Sequence, residues 1–186
     1  MKKLFYILFL VLLIPATNAW ADKYQETIGL FKNAGESSAF FNNSYGYAVF
    51  PTIGKGGLVV GGAAGKGRVY AKGKHVGNSD FGQVTIGFQA GGQAYSMIVF
   101  LEDERAFKEF TSGSYKFGAG VSAVAITAGA SGEASTTGTS AGASAGKKDA
   151  STVGGYQKGM ATFTIAKGGL MYEASLAGGG FTYEPL

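Results

Sequence analysis

The residues able to carry chemistry are few, and their spacing argues against a catalytic centre. His75 is the sole histidine. It sits in the polar run Ala71-Lys72-Gly73-Lys74-His75-Val76-Gly77-Asn78, read as a turn, with Ser79 and Asp80 just beyond. A hydrolase triad needs its imidazole oriented by a buried carboxylate, and three groups this close on one turn rarely converge. One histidine and no cysteine are too few for the usual zinc patterns, and they exclude a thiolate nucleophile. Glu102, Asp103 and Glu104 read as the first turn of a helix, where carboxylates complement the helix dipole. The segment Gly61-Gly62-Ala63-Ala64-Gly65-Lys66-Gly67 has the look of a phosphate loop. It lacks that motif's first glycine, since Val60 stands there, and Gly67 replaces the Ser or Thr that would hold magnesium. No enzyme activity, cofactor, metal or nucleotide site is expected.

The elements that must position any site are mainly strands. At the N-terminus, Lys2 and Lys3 precede the apolar run Leu4 to Ile14, and Ala19-Trp20-Ala21 closes the segment in a small-x-small pattern. This reads as a signal peptide over residues 1–21, giving an exported protein, periplasmic or secreted, with membrane association left open. Residues 22–186 then form a single domain. The net charge of +4 falls by two when Lys2 and Lys3 leave, too mild a balance for nucleic-acid binding. The 32 glycines, 14 Phe and 10 Tyr, with scarce Pro, point to strands with tight turns and bulges.

Residues 23–33 read as an amphipathic helix, with Tyr24, Ile28 and Phe31 on one face, Leu30 beside them, and Lys23 and Lys32 elsewhere. That face has two open roles: packing on the sheet, or lying in a membrane interface with the lysines on headgroups. A second short helix is predicted to start at Ser37 or Ser38 and carry Phe40 and Phe41. Strand-like runs follow at 47–50, 58–60 and 68–70, separated by glycine-rich punctuation at 54–57, 61–62 and 65–67, then at 83–88 and 93–101. Tyr95 to Leu101 is nearly all apolar and should be central. Glu102 to Phe110 is the clearest helix, stopped by Gly113. After a strand at 121–127, the Ala/Gly/Ser-rich stretch 128–155 reads as a long flexible loop. The pair 160–165 and 170–176 looks like a hairpin, and a last strand is expected at 180–183. The fold class is therefore α+β, mainly β: a glycine-rich antiparallel sheet or barrel-like core with short N-terminal helices and one mid-chain helix.

Four blocks in order carry a family likeness. Tyr47-Ala48-Val49-Phe50-Pro51-Thr52-Ile53-Gly54-Lys55-Gly56-Gly57-Leu58, running on to Gly65-Lys66-Gly67, resembles the opening of SYLF domains, also called the Ysc84 actin-binding domain. Gly82 to Gln93, Ile98 to Phe110 and Gly118 to Val121 fit the same pattern, with Tyr115 where the family often has Trp. The resemblance covers roughly residues 23–186. It implies a non-catalytic module that binds phospholipid or phosphoinositide-type headgroups by peripheral contact, here in a bacterial cell envelope. The lipid-binding candidates are then Lys23, Tyr24, Ile28, Leu30, Phe31 and Lys32 on the helix, with Lys55, Lys66 and Arg68 in the glycine-rich strands. Two other classes remain open at this point. One is a small outer-membrane β-barrel, disfavoured by the helix at 102–110 and the non-alternating 95–101 run. The other is a structural envelope protein that self-associates through strand edges.

Overall fold

A two-residue turn sets the register of the sheet. Lys72 and Gly73 both take positive φ, 49° and 77°, the backbone that matches the twist of a tight antiparallel hairpin. They join β2 (Val60–Ala71) to β3 (Lys74–Ile86), with Ala71 opposite Lys74 and Val60 opposite Ile86. His75 is therefore on a strand, and the turn read over residues 71–78 is confined to Lys72 and Gly73. The computed structural model describes residues 18–57, 60–86, 92–117, 121–122, 124–128, 134–135, 155–167, 175–176 and 178–186. Most of the expected loop at 128–155 lies outside them.

β1 (Gly46–Gly57) pairs with β2 on one side and β4 (Gly92–Leu101) on the other. β4 continues to β9 (Met160–Ala166), which pairs in parallel with β7 (Val124–Ala128) and through it meets β8 (Ala134–Ser135). On the other flank, β3 pairs along one edge with β11 (Gly179–Thr182) and then β12 (Glu184–Pro185). β5 (Ser114–Phe117) lies beyond β11. The result is a curled, mainly antiparallel half-barrel sheet, and the chain is α+β, mainly β, as expected. A separate pair joins β6 (Val121–Ser122) to β10 (Ser175–Leu176). Thus 175–176 does not pair with 160–165 as the hairpin reading required. Both sides of β9 are already taken by β4 and β7.

The glycine runs at 54–57, 61–62 and 65–67 are not turns, because they lie inside β1 and β2. Two of them have a packing reason. A side chain on Gly65 would meet Ile53 at 2.7 Å, and one on Gly67 would meet the Phe50 ring at 2.5 Å. Missing side chains on β2 let Phe50 and Ile53 lie against its backbone. A bulge between Phe50 and Ile53 turns both inward although they are three residues apart. Pro51, which has no N–H to give a ladder, sits in that bulge, and its carbonyl accepts a hydrogen bond from Ser96 Oγ at 2.8 Å.

Side-chain alternation divides the core between the two faces of the sheet. The concave face buries Phe50, Met97, Val99, Leu101, Phe81 and Phe181. It is closed by α4 (Glu104–Phe110), whose Phe110 ring lies 5.0 Å from Phe181. Asp103 caps this helix by accepting from Ala106 N at 2.7 Å. The convex face buries Val49, Tyr70, Ile98, Phe100 and Phe163 under the N-terminal helices. These are α1 (Asn18–Asn33), α2 (Gly35–Ser38) and α3 (Phe40–Asn43). α1 starts before the expected cleavage point after Ala21, so cleavage there would remove its first turn. Ser37 and Ser38 lie within α2 and are not helix starts. Ser37 Oγ instead donates to Phe31 O at 2.6 Å, tying α2 to α1. β4 is buried on both faces from Tyr95 to Leu101, the central strand the sequence indicated.

The phenols packed under the helices make the fold alkali-sensitive. Burial, aided by the neighbouring Tyr70 phenol at Tyr47 and by the Glu102 carboxylate at Tyr156, pushes both up to about 12. A proton held more tightly by the folded chain adds stability that is complete below the ordinary phenol value and declines above it. The melting temperature is expected to fall as pH rises from 10.0 towards about 12. Tyr47→Phe should flatten that decline in a thermal-melt series. A wild-type melting temperature constant across this window would contradict the packing described.

Candidate functional site

Among the described residues, the helices cover only part of the convex face, and the rest of it is almost free of side chains. One row across the strands reads Gly54, Ala64, Gly82 and Gly180, on β1, β2, β3 and β11 in turn. The next row outward is Gly56, Gly62 and Val84. All of these but Gly56 line a shallow, mostly apolar groove of about 850 Å³. Val84 (62% exposed) and Val60 (63% exposed) flank its outer side, and Lys116 of edge strand β5 stands opposite Gly180. Four strands at a spacing of about 4.8 Å make the floor about 14 Å long.

Towards α1 the same face turns polar. The next row holds Lys66, Asp80 and Thr182, whose Oγ1 accepts from Asp80 N. The row after it holds Arg68, Asn78 and Glu184. Lys66, Asn78, Asp80, Thr182 and Glu184 from these rows, with Tyr24 of α1, line a second, polar pocket of about 430 Å³. Asp80 and Thr182 line both cavities, so the groove opens into the pocket. Cations stand on β2 and carboxylates on β3 and β12. Lys66 and Asp80 form an ion pair at 3.5 Å, whose exposed setting makes it weak. The Arg68 guanidinium lies 4.2 Å from the centre of the Tyr24 ring. Burial raises the Tyr24 phenol above its ordinary value, with Arg68 opposing the rise.

The candidate residues read from the sequence do not form one cluster. Ile28 and Phe31 are buried in the convex core, so packing is the role this face of α1 plays. Leu30, at 43% exposed, faces away from the sheet, as do the exposed Lys23 and Lys32. Lys32 Nζ also sits 5.5 Å from the Phe41 ring. Lys55 stands near the far end of β1, opposite Ala63 and Gln93. Tyr24, Lys66 and Arg68 are the candidates brought together. Sequence reasoning missed Asp80, Glu184 and the groove glycines as site residues. The signal for Asp80 was available: a two-residue turn at Lys72-Gly73 places Lys66 opposite Asp80 once the bulge near Val69 is allowed for.

The alternative chemistries do not assemble. Ser79 and Asp80 are adjacent on β3 and project to opposite faces, while His75 Nε2 bonds Gly77 O at 3.0 Å. Among the described residues, no three His, Cys, Asp or Glu side chains are grouped for a metal ion. Among those residues, too, no helix is long and apolar enough to cross a membrane.

Among the described residues, a curled, glycine-rich sheet carries N-terminal helices on its convex side and one helix on its concave side, a mainly β domain with part of its convex face uncovered. The chain belongs to the Ysc84 (SYLF) family: the family model described as Las17-binding protein actin regulator matches residues 82–184, more than half of its length. It is also 27% identical over 165 residues to beta cell expansion factor A of Aeromonas veronii. That match takes in 88% of this chain and 54% of the relative, so the chain spans about half the length of the curated protein it matches.

Proposed function

We propose that this chain is a non-catalytic module of the bacterial cell envelope that binds phospholipid membranes peripherally through the convex face of its sheet. The observation that carries this reading is the bare, apolar groove beside exposed basic side chains. Contiguous exposed apolar surface on a soluble domain marks an interaction site, and neighbouring cations suit a membrane interface. Membership of a family whose described member binds Las17 also leaves room for a protein partner, but a glycine floor offers such a partner few side chains to recognise. A membrane-spanning barrel would present its convex face to lipid, and here helices pack on that face over Phe100 and Phe163. Export by cleavage after Ala21 completes the proposal, and N-terminal sequencing of the secreted protein tests it.

Co-sedimentation with vesicles across headgroup types tests the binding. Lys23 and Lys32 lie on the solvent side of α1, and each basic residue near an anionic surface contributes about 1 kcal/mol. Lys23→Glu with Lys32→Glu is therefore expected to weaken binding to anionic vesicles by at least about thirtyfold. The salt dependence should flatten, and the melting temperature should stay unchanged. Wild-type protein that sediments with no vesicle would end the lipid reading.

A further inference from the structure

We propose that the groove and the polar pocket are one site for a single phospholipid with a zwitterionic headgroup, its acyl chain on the glycine floor and its phosphate and ammonium in the pocket. This rests on the lipid-binding reading above and narrows it to a headgroup class.

Packing requires glycine at the edge of the floor, where a side chain on Gly180 would meet Tyr115 O at 2.5 Å, but not at its centre. Gly65 and Gly67 make room for Ile53 and Phe50, but a side chain on Gly54, Gly56 or Gly82 would enter open space. None of these three has a positive φ that would demand glycine. Glycine within a strand is less stable than a residue with a side chain. A smooth channel kept against that preference suits a ligand that needs a flat, apolar bed. The cavity volumes, about 850 and 430 Å³, fall in the range of small-molecule sites.

The pocket decides the headgroup by its charge layout. Lys66 on β2 faces Asp80 and Glu184 on β3 and β12, while Arg68, also on β2, lies over the Tyr24 ring. β12 lies two strand spacings from β2, about 9.6 Å. A phosphate therefore meets the β2 side while an ammonium group meets the carboxylates. Tyr24 adds a ring that already accepts a cation, Arg68, on its face. One cation, Lys66, and two carboxylates, Asp80 and Glu184, line the pocket. An anionic headgroup without an ammonium would gain from Lys66 but meet repulsion from Asp80 and Glu184.

The test measures binding of the full chain to phosphatidylcholine and to phosphatidylglycerol vesicles at high salt, which screens non-specific attraction. Wild type is expected to favour phosphatidylcholine by about tenfold or more, the scale of one charge-assisted contact. Asp80→Asn with Glu184→Gln should erase that preference. Gly54→Val with Gly82→Val should weaken binding to both vesicles by a similar factor without lowering the melting temperature, since the added side chains fill only the groove. Equal or tighter binding to phosphatidylglycerol, or a preference that survives the carboxamide variant, would overturn the headgroup assignment while leaving lipid binding intact. Unchanged binding by the glycine variant would overturn the groove. A wild-type dimer that the glycine variant dissolves would assign the face to a second copy of the chain and overturn the proposal. Failure of wild type to bind either vesicle would remove the underlying lipid reading as well.

Discussion

Phe31→Ala should lower the stability of the domain by about 3–5 kcal/mol, the cost of emptying a fully buried aromatic site. The Phe31 side chain is wholly enclosed between α1 and the convex face, among Val49, Ile98 and Phe163. Its carbonyl also accepts the Ser37 hydroxyl, so the substitution loosens α2 as well. For a chain of this size the midpoint should drop by roughly 6–20 °C. Thermal and denaturant unfolding would measure it. The result separates two pictures of α1. If its apolar face were reserved for a membrane, truncation would leave the melting temperature alone and reduce only vesicle binding. An unchanged midpoint for Phe31→Ala would therefore contradict the convex core.

Gly67→Val is the second large effect. A Cβ at this position would stand 2.5–2.9 Å from three atoms of the Phe50 ring, closer than carbon atoms approach. Phe50 is fully buried and held by Phe81 and Phe181, so it has nowhere to retreat. Overpacking of this kind costs about 1–3 kcal/mol and sometimes more. Gly82→Val provides the contrast on the neighbouring strand. Its side chain would enter open space on the convex face, and removing a strand glycine should stabilise by about 0.5–1 kcal/mol. Opposite signs in two denaturant titrations would establish that the sheet holds glycines of two kinds. Equal destabilisation would mean that the convex face at Gly82 is covered.

Tyr95 to Leu101 was legible in the sequence as the central strand because a run of large apolar residues has no other place to go. The helix ending at Phe110 was legible from its acidic start and its Ala106, Phe107 and Phe110 stripe. The long strands β1 and β2 were not, because glycine in a sequence signals a turn far more often than a close backbone approach. Only the positions of Phe50 and Ile53, fixed by a bulge, reveal why Gly65 and Gly67 belong in a strand. The N-terminal helix shows a different limit. Periodicity identified Tyr24, Ile28 and Phe31 as one face but could not say whether sheet or lipid would cover it. The polar pocket was least legible, since Tyr24, Lys66, Asp80 and Glu184 come from four elements that only the sheet order unites.

The central claim is that lipid meets the bare convex face rather than the packed face of α1. The most direct measurement uses vesicles containing a phospholipid with a photoreactive group on its acyl chain. After illumination, the labelled residues of wild-type protein are mapped by peptide mass spectrometry. Adducts are expected in the stretches 60–64 of β2 and 80–84 of β3, and they should be lost in Gly54→Val with Gly82→Val. Adducts confined to residues 23–33, with none on β2 or β3, would contradict the account.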